Sequence, residues 1–343
     1  MERKRIPFID FAAGILILWM IFQHAVETAW ALGLGEYNVN PNASWFPYLN
    51  FFMPWFFYKS GAFFQKRGVK ELWQKDYHKF FKTLALWSLI GYVVYILLGI
   101  YSHTLTLHDV IYAPTRRFFF DGYIAIELPL WFLLTLIGVR LVANISLPTR
   151  DSRFFHYRCA AIVTICALVA YVAHVYRNPY LPLWVANSAS GCAFFTLGYW
   201  LHNYEKKAWF VLPCVIGYLS CCLFGWNSVI MMTNELLKGY YLLWFPSALC
   251  GIVCFNAVCR CLCEWMGKIT PPQYSRYRTL EIIGKNAMPI YVTHSFVRFP
   301  LAAVLENYTI SWEWILIIIC VGYALVLPIV CILWNKISKI KTK

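Results

Sequence analysis

The chain has 343 residues, 60% of them hydrophobic and only 13% charged, where a soluble domain carries roughly 25% charged residues. Its formal net charge is +14, from 30 Lys and Arg against 16 Asp and Glu. The apolar excess excludes an ordinary water-soluble globule. The basic residues fall in short loops between apolar runs, so membrane topology accounts for the charge and no nucleic acid is expected as a partner.

Apolar runs fall at about 8–31, 45–65, 83–101, 123–143, 159–176, 180–201, 208–226, 239–259, 281–303 and 313–334. A span needs roughly 20 such residues. Long runs without alternation are helices, because hydrocarbon offers no partner to a bare backbone. The expected fold is therefore all-α: a polytopic bundle of about ten transmembrane helices forming one membrane domain over residues 1–343. No internal repeat is visible, which weighs against transporter folds built on duplicated halves.

The first run follows Arg3, Lys4 and Arg5 and continues to about Leu34. That is too long for a signal-peptide core, so it reads as a retained span. It contains Asp10, Gln23, His24 and Glu27. Ionisable groups inside spans cost roughly 2.5–3.5 kcal/mol each on insertion scales, which makes them functional candidates. His24 lies about 21 Å along the axis from Asp10. His24 and Glu27, three apart, share a helix face, so the carboxylate can orient an imidazole suited to accept a proton near neutral pH. In the second run Pro54 is expected to break or kink the helix, and Ser60-Gly61 to allow close backbone approach.

The loop that follows carries Lys75, Lys79 and Lys82 at i, i+4, i+7, one helical face suited to phosphate groups. The fourth run opens on Leu128-Pro129-Leu130-Trp131-Phe132-Leu133. Tyr112, Phe118, Phe119, Tyr123 and Trp131 around that outer mouth suit sugar stacking, although interfacial belts explain them equally. The fifth and sixth runs are separated by a tight outside turn at Arg177-Asn178-Pro179. Most of the 13 cysteines lie in apolar runs as small hydrophobes. The Cys259, Cys261, Cys263 cluster lacks a second half, so no metal is expected. The ninth run, from Glu281, places His294 near mid-membrane, where a buried imidazole needs partners or a function.

With the N-terminus inside, 24 of the 30 basic residues fall on the inner side. Arg116, Arg117, Arg177, Lys238 and Arg298 fall outside, and Lys59 lies within the second run. This bias predicts cytoplasmic N- and C-termini and an even number of spans.

Four elements in order resemble the membrane acyltransferase 3 family, particularly its fucose 4-O-acetylase-type members. The opening Asp10, Gly14, His24 is similar to the family's first helix. The stretch Phe51-Phe52-Met53-Pro54-Trp55-Phe56-Phe57 through Ser60-Gly61 resembles its second. Pro129-Leu130-Trp131-Phe132-Leu133 resembles its Trp-Phe-Leu signature. Ile283-Gly284-Lys285-Asn286-Ala287-Met288-Pro289-Ile290-Tyr291-Val292-Thr293-His294 resembles its late element. Two departures stand out. Ala13 replaces a basic residue before the first-helix Gly, and Lys79-x-x-Lys82 replaces Arg-x-x-Arg, keeping charge without the guanidinium fork. They favour a divergent subgroup.

The resemblance implies an O-acyltransferase of the inner (plasma) membrane. It would take acetyl-CoA from the cytoplasm as acyl donor and modify a hydroxyl of an envelope glycan or lipid-linked sugar. The implied catalytic set is His24, Glu27, Asn286 and His294, with His24 as general base on the acceptor hydroxyl or as first acceptor of the acyl group, and Asn286 or Ser60 as oxyanion donors. The implied donor-binding set is Lys75, Lys79, Lys82, Asp10 and Ser60. A multi-pass transporter or flippase without acyl-transfer chemistry is the alternative; it would move substrate without consuming a thioester.

Overall fold

Every one of the ten apolar runs carries a helix in the computed structural model of the chain. The structure describes residues 6–36, 44, 46–101, 103, 105–122, 130–176, 182–230, 236–269 and 278–340. The helices are α1 (Pro7–Leu34), α2 (Phe52–Ala62), α3 (Val69–Asp76), α4 (Lys82–Tyr101), α5 (Ala113–Asp121), α6 (Trp131–Ser146), α7 (Phe155–Tyr176), α8 (Leu183–Leu201), α9 (Ala208–Leu223), α10 (Tyr241–Ile269), α11 (Arg278–Lys285), α12 (Ala287–Leu305) and α13 (Trp312–Ile340). A two-stranded antiparallel hairpin pairs Val229 with Lys238. The expected outside turn at Arg177-Asn178-Pro179, the Pro129 opening of the fourth run, Tyr123, and the basic residues Arg3, Lys4 and Arg5 lie outside the described residues.

Among the described residues, six helices are long and apolar enough to cross a membrane: α1, the continuous helix Val69–Tyr101, α7, α10, α12 and α13. The number rises to seven if α8 and α9, bent by 112° at a short break, count as one span. The chain is thus an all-α membrane protein. The difference from ten is one of length for α2 and α6 and of the bend between α8 and α9. The 11 residues of α2 rise about 16 Å and the 16 of α6 about 24 Å, against a hydrocarbon core of about 30 Å.

Pro54 does not kink its helix. α2 begins at Phe52, so Pro54 falls in the first turn, where a missing N–H costs nothing. The expected common face of Lys75, Lys79 and Lys82 is also altered. A π-helical turn at Tyr77–Phe81 interrupts the 3.6-residue register between the first and last of them.

Chain contacts divide the protein into two compact units. The first comprises residues 1–46 and 255–343, and in it α1 packs against α11, α12 and α13. Glycines set the closest crossing. A Cβ on Gly14 would strike the carbonyl oxygen of Leu280, and one on Gly284 would strike that of Asp10. The motif glycines of the first and ninth runs therefore let α1 and α11 touch backbone to backbone. At the other end of α1, Gly33 lies against Trp312.

The second unit comprises residues 47–254, with α8 packed on α2, α6 and α7. It repeats the device. Gly61 of α2 meets the Phe195 carbonyl oxygen and Gly198 of α8 meets that of Tyr58, so Ser60-Gly61 does mark a close approach. A buried ion pair joins α3 to α6. Arg140 donates from Nε to Asp76 Oδ2 at 2.7 Å and from an Nη to Oδ1 at 2.9 Å. Its guanidinium lies 5.3 Å from the Phe64 ring and 5.4 Å from the Phe80 ring.

Candidate functional site

Within the first unit, α1 and α12 bring together two of the eight histidines. Nδ1 of His24 lies 2.7 Å from Oε2 of Glu27, the contact that i, i+3 spacing on one helix favours. A carboxylate only accepts, so Nδ1 carries the hydrogen and the Nε2 lone pair is left as the basic atom. Gln23 donates from Nε2 to the other carboxylate oxygen at 3.2 Å. The His24 side chain retains 24% of its surface and Glu27 26%, so both are half-buried.

The ring of His294, on α12, stacks on that of His24 with centroids 5.4 Å apart and planes 17° from parallel. Its Nδ1 is 2.9 Å from the carbonyl oxygen of Tyr291. A carbonyl only accepts, so this ring too is protonated at Nδ1. Its Nε2 is a buried acceptor with no hydrogen-bond partner among the described residues. From α13, the Tyr323 ring approaches His294 at 6.5 Å, with its buried hydroxyl likewise unpartnered among the described residues. Buried polar atoms are normally satisfied, so these two unpartnered atoms beside the His24–Glu27 pair make the cluster a candidate site.

Arg298, one turn beyond His294, completes the cluster. It donates from an Nη to the backbone oxygen of His24 at 3.1 Å, and the same nitrogen lies 3.8 Å from Glu27 Oε2. Counted in the sequence only among the outer basic residues, it is a buried mid-helix residue. The available signal was its i+4 spacing from His294 inside an apolar run. Tyr323 carried no usable signal, being one of 23 tyrosines that belts also explain.

Of the expected site residues, His24, Glu27 and His294 come together. Asp10 does not join them; it sits at the α1–α11 crossing, about 21 Å along α1 from His24. Asn286 lies eight residues before His294, about 12 Å along α12. Its amide is engaged, with Nδ2 donating to Ile282 O at 2.8 Å and Oδ1 accepting from Asn335 at 2.9 Å. Lys75, Lys79, Lys82 and Ser60 belong to the second unit. The three lysines are exposed and Ser60 is half-buried. Lys79 Nζ lies 4.9 Å from the Phe80 ring.

The cluster can therefore do one thing well: take a proton onto His24 Nε2, with a carboxylate fixing the tautomer and balancing the imidazolium that forms. A family model described as an acyltransferase domain matches residues 6–334 of the chain. No curated protein and no solved structure gives a significant match.

Proposed function

The chain belongs to the acyltransferase 3 family, and on that premise we propose that it is an O-acetyltransferase of the inner membrane, of the fucose 4-O-acetylase type. In this reading acetyl-CoA enters from the cytoplasm and the acceptor is a hydroxyl of an envelope glycan or a lipid-linked sugar. Residues 1–343 act as one membrane acyltransferase domain, with about ten helical segments in the bilayer and both termini cytoplasmic.

The observation that carries the reading is the His24–Glu27 pair, 2.7 Å apart, with its basic nitrogen left open. His24 Nε2 takes the proton of the acceptor hydroxyl as its oxygen attacks the thioester carbonyl. The tetrahedral oxyanion collapses, the C–S bond breaks, and the departing thiolate takes the proton from the imidazolium. Glu27 holds Nδ1 and balances the charge. Lys75, Lys79 and Lys82 supply cations for the phosphates of coenzyme A. His294 supplies a second ring against the base. Asp10 and Asn286 act at a distance, at the helix ends that hold α1, α11 and α12.

The test is mass spectrometry of envelope glycans from cells with and without the protein. A species heavier by one acetyl group that disappears with the protein supports the reading. Identical glycan profiles contradict it.

A further inference from the structure

A guanidinium at membrane depth is costly to bury, and Arg298 is 5% exposed. It lies face-on to the Phe299 ring at 4.4 Å and reaches across from α12 to α1. There one nitrogen meets both the backbone oxygen of His24 and the carboxylate oxygen that His24 Nδ1 uses. Among the described residues, the groups facing that carboxylate are few. α1 gives Gln23 and His24, α12 gives His294 and Arg298, and α13 gives Tyr323. Arg298 is the single permanent cation among them.

We propose that Arg298 is a positioning residue that acts on His24 through Glu27, holding the carboxylate against the imidazole while fixing the α1 backbone at the same residue. The inference deepens the acetyl-transfer reading and takes its chemical interest from it. A helix tie alone would need only the bond to the His24 carbonyl. Placing the same nitrogen beside Glu27 Oε2 also confines the carboxylate and compensates its charge. Lysine keeps the charge but carries it on a flexible stem, without the planar group that lies on the Phe299 ring, so it holds the two contacts less firmly.

The experiment reads His24 without any physiological substrate. Full-length protein in detergent is treated with diethylpyrocarbonate, which acylates an unprotonated imidazole, and the rate at His24 is followed by mass spectrometry on its high-pH plateau, where the imidazole is unprotonated in every variant. Wild type, Glu27→Gln, Arg298→Gln, Arg298→Lys and the double variant Glu27→Gln/Arg298→Gln are compared, each checked for a monodisperse folded state. Glu27→Gln and Arg298→Gln are expected to slow labelling by roughly tenfold or more. The double variant should be no slower than either single one, and Arg298→Lys should recover part of the rate. Wild-type labelling in Arg298→Gln overturns the proposal, as does a double variant whose loss is the product of the two single losses. If Arg298→Gln does not fold, Arg298→Lys alone and paired with Glu27→Gln gives the same comparison. Because no acceptor is involved, absence of acetyl transfer would count against the function and leave this result standing.

Discussion

At His24 the chemistry depends on which ring nitrogen is free, and the Glu27 contact decides it. Replacing His24 by Ala removes the base while shortening a half-buried side chain. Acetyl transfer is expected to fall about 10²–10⁴-fold, with insertion and expression unchanged on a detergent-solubilised size-exclusion profile. Glu27→Gln keeps the shape and loses the charge and the enforced tautomer. A loss on the order of 10²-fold is expected in kcat, with little change in the KM for acetyl-CoA; a mutant at wild-type kcat would remove Glu27 from the account. The pair was legible in the sequence because i, i+3 spacing is local. The stacking of His294 on His24 was not, since it depends on how α1 and α12 meet. Arg298 was counted only as a topology charge for a related reason: a cation near the end of an apolar run reads as topology until a buried acceptor is seen beside it.

Between the residues and the whole stand the helix crossings. Gly14 and Gly284 are placed where any Cβ would meet a backbone carbonyl that cannot yield. Ala at either position should cost about 1–3 kcal/mol by overpacking, seen as a lowered midpoint of thermal unfolding in detergent. Gly68 is the control. It has nothing within 4 Å of a would-be Cβ and an ordinary extended backbone, so Gly68→Ala should stay within about 0.5 kcal/mol of wild type. The Asp76–Arg140 pair gives the same measurement another test: Arg140→Ala leaves a buried carboxylate unpaired and should cost about 3–5 kcal/mol. Sequence spacing found Ser60-Gly61 as a close approach but misjudged Pro54, because composition shows where an apolar run begins and not where its first helical turn does. The π turn at Tyr77–Phe81 left no periodic trace for the same reason: one extra residue in a turn is invisible without the backbone.

For the molecule as a whole, hydrophobic runs and basic loops carry nearly all of the legible information. Each run became a helix, since lipid leaves the backbone no other economy, but run length did not distinguish a full span from a short segment such as α2 or α6. The charge bias predicts both termini on the cytoplasmic side. Reporter fusions at residue 1 and after residue 343 should both report that side, and opposite sides would require an odd number of crossings. The central claim, a carboxylate-held imidazole acting as base while an acyl group passes from a thioester to a sugar hydroxyl, is tested most directly in proteoliposomes. Purified protein is given radiolabelled acetyl-CoA and an envelope glycan fraction, and label in the glycan is counted for wild type and for His24→Ala. The account predicts incorporation by wild type and a loss of at least about 10²-fold in the variant. Equal incorporation by the two proteins would contradict it.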